Sequence, residues 1–233
     1  MDGRARCVSN TVVLLIRYDC IAILANVTST QSATSGSRAT EREQKTVEIL
    51  VAVWRVVAAQ GLGAVSFRSV AKEAGVSPGR VQHYFGSKEE LIRASVELMI
   101  SSAEDLHREA TDEGDPADEL WQLLTHAIPQ AAASPAGTSV FYSFVAASVA
   151  DPGVARILAD AKHGVRDEIA ALLHTLRARR GAPGSPSAIP VDRAAQELLA
   201  MSDGVTLGVL IGNLTPDQAR ATLRGALDRL LGA

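Results

Sequence analysis

Between Phe67 and Lys88 the chain reads FRSVAKEAGVSPGRVQHYFGSK, a string with little freedom in how it can fold. Two helix-length segments flank Gly75-Val76-Ser77. Ser66 is placed to cap the first, which runs through Ala74, and Gly75 ends it with the positive φ that a tight turn needs. Ser77 caps the second, with Pro78 in the first helical position, where a missing N–H costs nothing. Ala71 is small where the two helices must approach closely. Val81, ten residues on, anchors the second helix to the first. This spacing is that of a helix-turn-helix, whose second helix lies in the major groove of DNA.

The surrounding chain is helical throughout. Val47, Leu50, Val51, Trp54 and Ala58 trace one face of a helix that starts near Glu43 and stops at Gly61. Ser87 and Glu90 form a capping box that opens a helix from Lys88 to about Ala110. Further helices are predicted over 116–132, 137–149, 153–180, 191–211 and 216–231, broken by Ser134-Pro135, Asp151-Pro152-Gly153 and the Gly/Pro-rich stretch Gly181–Pro190. Nine helices and no convincing strand make the fold class all-α: a three-helix N-terminal module, then a larger helical domain.

The second helix of the turn can be divided by angle, at about 100° per residue. Val81 and Phe85 face inward, while Gly79, Arg80, Gln82 and His83 point outward and Tyr84 sits on the flank. Arg80 can pair with guanine O6/N7 and Gln82 with adenine N6/N7. Gly79 lets the backbone approach a phosphate, and Tyr84 and Lys88 can bind phosphate oxygens. Arg68 lies where the preceding helix crosses the DNA backbone, near the positive helix end. Ser77 and Pro78 complete the contact set.

Residues 43–93, with AKEAGVSPGRVQHYFGSKEELIRA at their heart, closely resemble the N-terminal domain of the tetracycline-repressor (TetR) family. That family's pattern runs helix, Gly, Thr/Ser, then IA..AGVS.G..Y.HF.SKE.L. Ala71, Ala74, Gly75, Val76, Ser77, Gly79, Phe85, Ser87, Lys88, Glu89 and Leu91 stand where it wants them, with Val70 in place of its isoleucine and Tyr84 in place of its histidine. One departure matters: where most of the family carries a phosphate-contacting tyrosine, this chain has Gln82, which favours a base-reading or water-mediated role there. The resemblance implies a repressor released from a palindromic operator by a small-molecule effector, with residues 41–93 binding DNA and residues 94–233 sensing and dimerising. It also implies that the last two helices, about 191–231, pair with their copies in a homodimer. Ala194, Ala195, Leu198, Leu199, Ser202 and Val205, then Ala219, Leu223, Ala226, Leu227 and Leu230, supply small and apolar faces that suit such packing or an intramolecular core.

Beyond Ala110 the resemblance is one of layout. Because family members bind small molecules between the middle helices, Trp121, His126, Phe141, Tyr142, Phe144 and Met201 are candidate effector contacts, although such side chains at helical spacing also serve as plain core. Phe141 to Phe144 occupy consecutive positions that cannot all face one core. Asp203, near the centre of an apolar helix, needs a partner from protein or ligand.

Charge divides along the chain. Residues 38–93 hold nine Lys/Arg against six Asp/Glu, whereas residues 94–233 hold eleven against eighteen. Such asymmetry fits a nucleic-acid-facing module without proving one. Cys7 and Cys20 lack a CxxC spacing, so neither a disulfide framework nor a zinc site is implied, consistent with a reducing, cytoplasmic location. The five histidines form no i, i+4 metal pair, and GxSxG, HExxH, P-loop and dinucleotide motifs are absent. No enzyme, metal or cofactor is expected. Residues 1–40 form an extension: apolar Thr11–Val27 is interrupted by Arg17 and Asp19, which argues against a membrane span; Ala25-Asn26-Val27 is a poor signal cleavage site. The extension is best explained by a start codon placed too far upstream, followed by a flexible Thr28–Thr40 arm. Three readings remain compatible with the sequence: a ligand-responsive repressor, a DNA-binding regulator without a small-molecule effector, and a membrane-associated helical protein using residues 11–27.

Overall fold

The computed structural model describes residues 38–110, 114–129, 136–179 and 189–231. The expectations for the extension before residue 38 lie outside them. Nine α-helices occur among the described residues: α1 Arg38–Gln60, α2 Phe67–Glu73, α3 Pro78–Tyr84, α4 Lys88–Ala110, α5 Pro116–Thr125, α6 Ala136–Ser148, α7 Pro152–Arg179, α8 Val191–Leu210 and α9 Pro216–Leu231. A 3₁₀ turn, Leu62–Ala64, precedes α2.

Two boundaries differ from the periodicity. Helix α1 starts at Arg38, inside the stretch read as an arm. Residues 38–46 are good helix formers apart from Thr40 and Thr46, but carry no apolar rhythm, so the pattern cannot register them. Helix α5 ends at Thr125 and not near residue 132. Pro129 is the cause, since its ring clashes with the carbonyl four residues back, that of Thr125; the Ile128 N–H bonds that carbonyl in a tighter turn, at 3.0 Å.

The chain divides into two compact units. In the first, residues 38–102 and 136–158, α1 packs against α2 and α6. Over residues 49–57 it is buried on almost every side: Ile49 to Trp54, Val56 and Val57 are all core, with Arg55 exposed. A helix buried all round does not show its full surroundings in a one-face pattern, and Ala58, expected inside, is exposed. The Trp54 indole donates to the Ser95 carbonyl at 3.0 Å, so α4 shares this core past residue 93. Asp151, ahead of α7, accepts from the Gly153 and Val154 N–H groups and from Arg93 of α4. The Arg93 guanidinium, with those N–H groups, holds the Asp151 carboxyl below its usual range.

In the second unit, α8 packs on α9 and both touch α5. The buried Ser202 hydroxyl donates to the Leu124 carbonyl at 2.8 Å. Here the two readings of the small and apolar faces separate. Ala194, Ala195, Leu198, Leu199, Ser202, Val205, Ala219, Leu223, Ala226 and Leu227 are already buried within the single chain, and Leu230 is half-buried. These faces form the intramolecular core and are not free for a second copy. The small and apolar face of α8 that stays open is Ala200, Gly204 and Leu207, continued by Ile211 just past its end, at i, i+4, i+7 and i+11.

Glu119 and Glu168 both titrate above their ordinary 4.5, chiefly through burial, and Glu168 raises Glu119 further by charge repulsion. A carboxyl whose folded pKa is raised leaves stability highest below its ordinary value and lowers it as pH rises through the folded one. Glu168→Gln is therefore expected to raise the melting temperature at pH 7 by roughly 1–2 °C. The gain should vanish near pH 4, where the wild-type carboxyl is protonated. Paired calorimetric scans at the two pH values check this, and equal shifts at both would count against it.

Candidate nucleic-acid interface

Local capping sets the shape of the turn. The Ser66 hydroxyl accepts from the Ser69 N–H at 3.1 Å, and the Ser69 hydroxyl accepts from the Ser66 N–H at 2.9 Å, which anchors the start of α2. Gly75 takes φ +66°, a conformation costly for side chains. The Val76 N–H returns to the Ala71 carbonyl at 2.9 Å. Ser77 then opens α3 by accepting from the Arg80 N–H at 3.2 Å, with Pro78 next. Val70, Ala71 and Val81 are buried together with Phe85, so α3 is held on α2 by packing as well as by the turn. At the start of α4 the Ser87 hydroxyl accepts from the Glu90 N–H, while the Glu90 carboxylate reaches back to the Gly86 N–H at 2.8 Å.

This frame leaves one surface of α3 open. Ser77, Pro78, Gly79, Arg80, Gln82 and His83 are exposed, Tyr84 and Lys88 are half-buried, and Arg68 is exposed on α2. A Cβ added to Gly79 would meet nothing within 4 Å, so the chain itself does not require glycine there.

The structure adds residues that the sequence reading passed over. Glu41, Arg42 and Lys45 of α1 join Arg80, His83 and Tyr84 in lining a hollow of about 310 Å³. The Arg42 guanidinium carbon lies 5.7 Å from the centre of the Tyr84 ring, within cation–π range. Lys45 also pairs with Glu48 at 2.7 Å. The sequence signal was available: Arg42 and Lys45, three apart, share a face of α1.

The candidate effector residues fall into two groups. In the first unit Phe141 and Phe144 are core, and Tyr142 sits half-buried with its ring edge-on to Phe141 at 5.7 Å. Four consecutive positions thus split, with the two phenylalanines inward and Ser143 donating to the Ser139 carbonyl. In the second unit Trp121, His126, Met201 and Asp203 are all half-buried. The Arg224 guanidinium stacks 3.7 Å from the Trp121 ring centre, His126 Nδ1 lies 2.8 Å from the Leu123 carbonyl, and Asp203 pairs with Lys162. Among the described residues no helix is long and apolar enough to cross a membrane.

Residues 49–95 match the family model described as bacterial regulatory proteins, tetR family, and residues 116–232 match the C-terminal model of the BetI-type transcriptional repressor. The chain belongs to the TetR family. The regulator BetI of Rhizobium meliloti is 30% identical over 161 residues, covering 66% of this chain and 72% of that protein. The Bacillus subtilis regulator PksA is 27% identical over 177 residues, 73% of this chain and 81% of its own length. Among solved structures, a transcriptional regulator from a Rhodococcus species is 27% identical and superposes with a TM-score of 0.66, covering 80% of this chain and 96% of that one. As a TetR-family protein the chain is a DNA-binding transcriptional regulator and not an enzyme.

Proposed function

We propose that this TetR-family regulator is a homodimeric repressor that grips a palindromic operator and releases it when residues 94–233 bind a small-molecule effector. The observation that carries the reading is the open surface of α3, where Gly79, Arg80, Gln82 and His83 stand exposed on a helix capped and packed from behind. Exposed Arg80 offers paired donors that suit guanine, and exposed Gln82 offers the donor and acceptor that suit adenine. Arg68, Ser77, Tyr84 and Lys88, with the bare backbone at Gly79, supply phosphate contacts, and Pro78, which has no N–H to donate, touches the DNA backbone by shape alone. Residues 41–93 carry DNA binding, and we place the protein in the cytoplasm with its DNA.

The dimer face in this reading is the open side of α8. Ala200, Gly204, Leu207 and Ile211 are small or apolar and exposed, and a Cβ at Gly204 would meet nothing within 4 Å. A two-fold interface uses the same patch on both copies, which matches the symmetry of an inverted-repeat operator. The effector role rests on the BetI-type match over residues 116–232. Selecting bound duplexes from a random pool tests the proposal: an inverted repeat is the expected consensus. Enrichment of a single unrepeated site, or of nothing, would contradict it.

A further inference from the structure

Resting on that reading, we infer that Arg42 and Lys45 of α1, outside the helix-turn-helix, complete a binding site for one phosphodiester of the DNA backbone, in the hollow they share with Arg80 and Tyr84. Three features point there. The hollow opens beside the exposed surface of α3, since Arg80, His83 and Tyr84 form its other wall. Its donors suit a phosphate: the exposed Arg42 guanidinium offers a planar fork, Lys45 offers ammonium protons beyond the one given to Glu48, and Tyr84 offers a hydroxyl. The Tyr84 ring also lies within cation–π range of Arg42, so the guanidinium is held toward α3. Glu41 lines the same hollow and opposes an anion, which gives the inference a sign that can be tested in both directions.

A phosphate contact is blind to base sequence and releases counterions, so it acts alike on every duplex and steepens the salt dependence. The test uses the full chain and measures affinity for the selected operator and a scrambled duplex at several salt concentrations. The variant R42A/K45A is expected to bind both duplexes about tenfold more weakly at low salt, with a salt slope lower by about one to two units. Glu41→Gln is expected to tighten both, and R42K/K45R to keep the wild-type slope. Circular dichroism melts confirm that each variant is folded, and the Glu41→Gln gain cannot come from misfolding. If the wild type binds neither duplex, the functional reading itself fails. If the wild type binds and R42A/K45A keeps its affinity and slope, only this inference is overturned; it also falls if the loss is confined to the operator. Titration with inorganic phosphate at constant ionic strength supplies the last arm. Millimolar phosphate binding that R42A/K45A abolishes while its DNA slope stays unchanged would assign the hollow to a free phosphate instead.

Discussion

Arginine at Leu207 is expected to give a folded monomer, whereas arginine at Leu198 is expected to give no folded protein. The two positions lie on the same helix, nine residues apart, and differ in what covers them. Leu198 is fully buried within its own chain, among Ala194, Ala195 and the apolar face of α9. A guanidinium there has neither water nor a partner, and the cost of several kcal/mol approaches the whole stability of a domain. Leu207 keeps 43% of its surface and Ile211 68%, so a charge at Leu207 costs the isolated chain about 0.5 kcal/mol or less. It would instead place two like charges across a two-fold interface. Light scattering at micromolar concentration, with circular dichroism melts, separates the outcomes. A Leu207→Arg protein that remains dimeric would remove the open face of α8 from the interface. A folded, monomeric Leu198→Arg protein would show that the face we describe as intramolecular core serves a second copy after all.

The second large effect lies on the recognition helix. Arg80→Ala is expected to relax preference at one base position per half-site, by the 1–3 kcal/mol that separates a good bidentate base contact from a wrong one, or roughly 5- to 150-fold. Lys88→Ala, at the start of α4, should weaken operator and scrambled DNA alike and lower the salt slope by about one unit per site lost. The strong excess of acidic residues over 94–233 repels DNA, leaving few contacts able to compensate. Titrations of both variants on both duplexes at several salt concentrations give the answer. Should Arg80→Ala lose affinity equally for the two, Arg80 holds phosphate. Its place in the wall of the hollow beside Arg42 makes that a sharp question.

These experiments bear on residues that the sequence made legible to different degrees. The helix-turn-helix was readable almost atom by atom, because its determinants are local. Ser66, Gly75, Ser77 and Pro78 act through backbone conformation and caps within a few residues, and Ala71 and Val81 meet because a short turn leaves them no alternative. The end of α5 was local too, but its signal, Pro129, was outweighed by an apolar rhythm that continued past it.

What the sequence alone determined is therefore the string of helices, their order, and the exposed face of α3. What only the tertiary structure decided is which apolar faces meet. A small-apolar stripe has the same pattern whether its partner is the next helix or a second molecule, so Leu198 and Leu227 could not be assigned until α9 was found lying on α8. The same holds for Arg42 beside Tyr84 and Lys162 beside Asp203, each pair about forty residues apart in the chain and joined only by packing. Periodicity states that a helix has an inside. The burial of every other helix against it determines where that inside is.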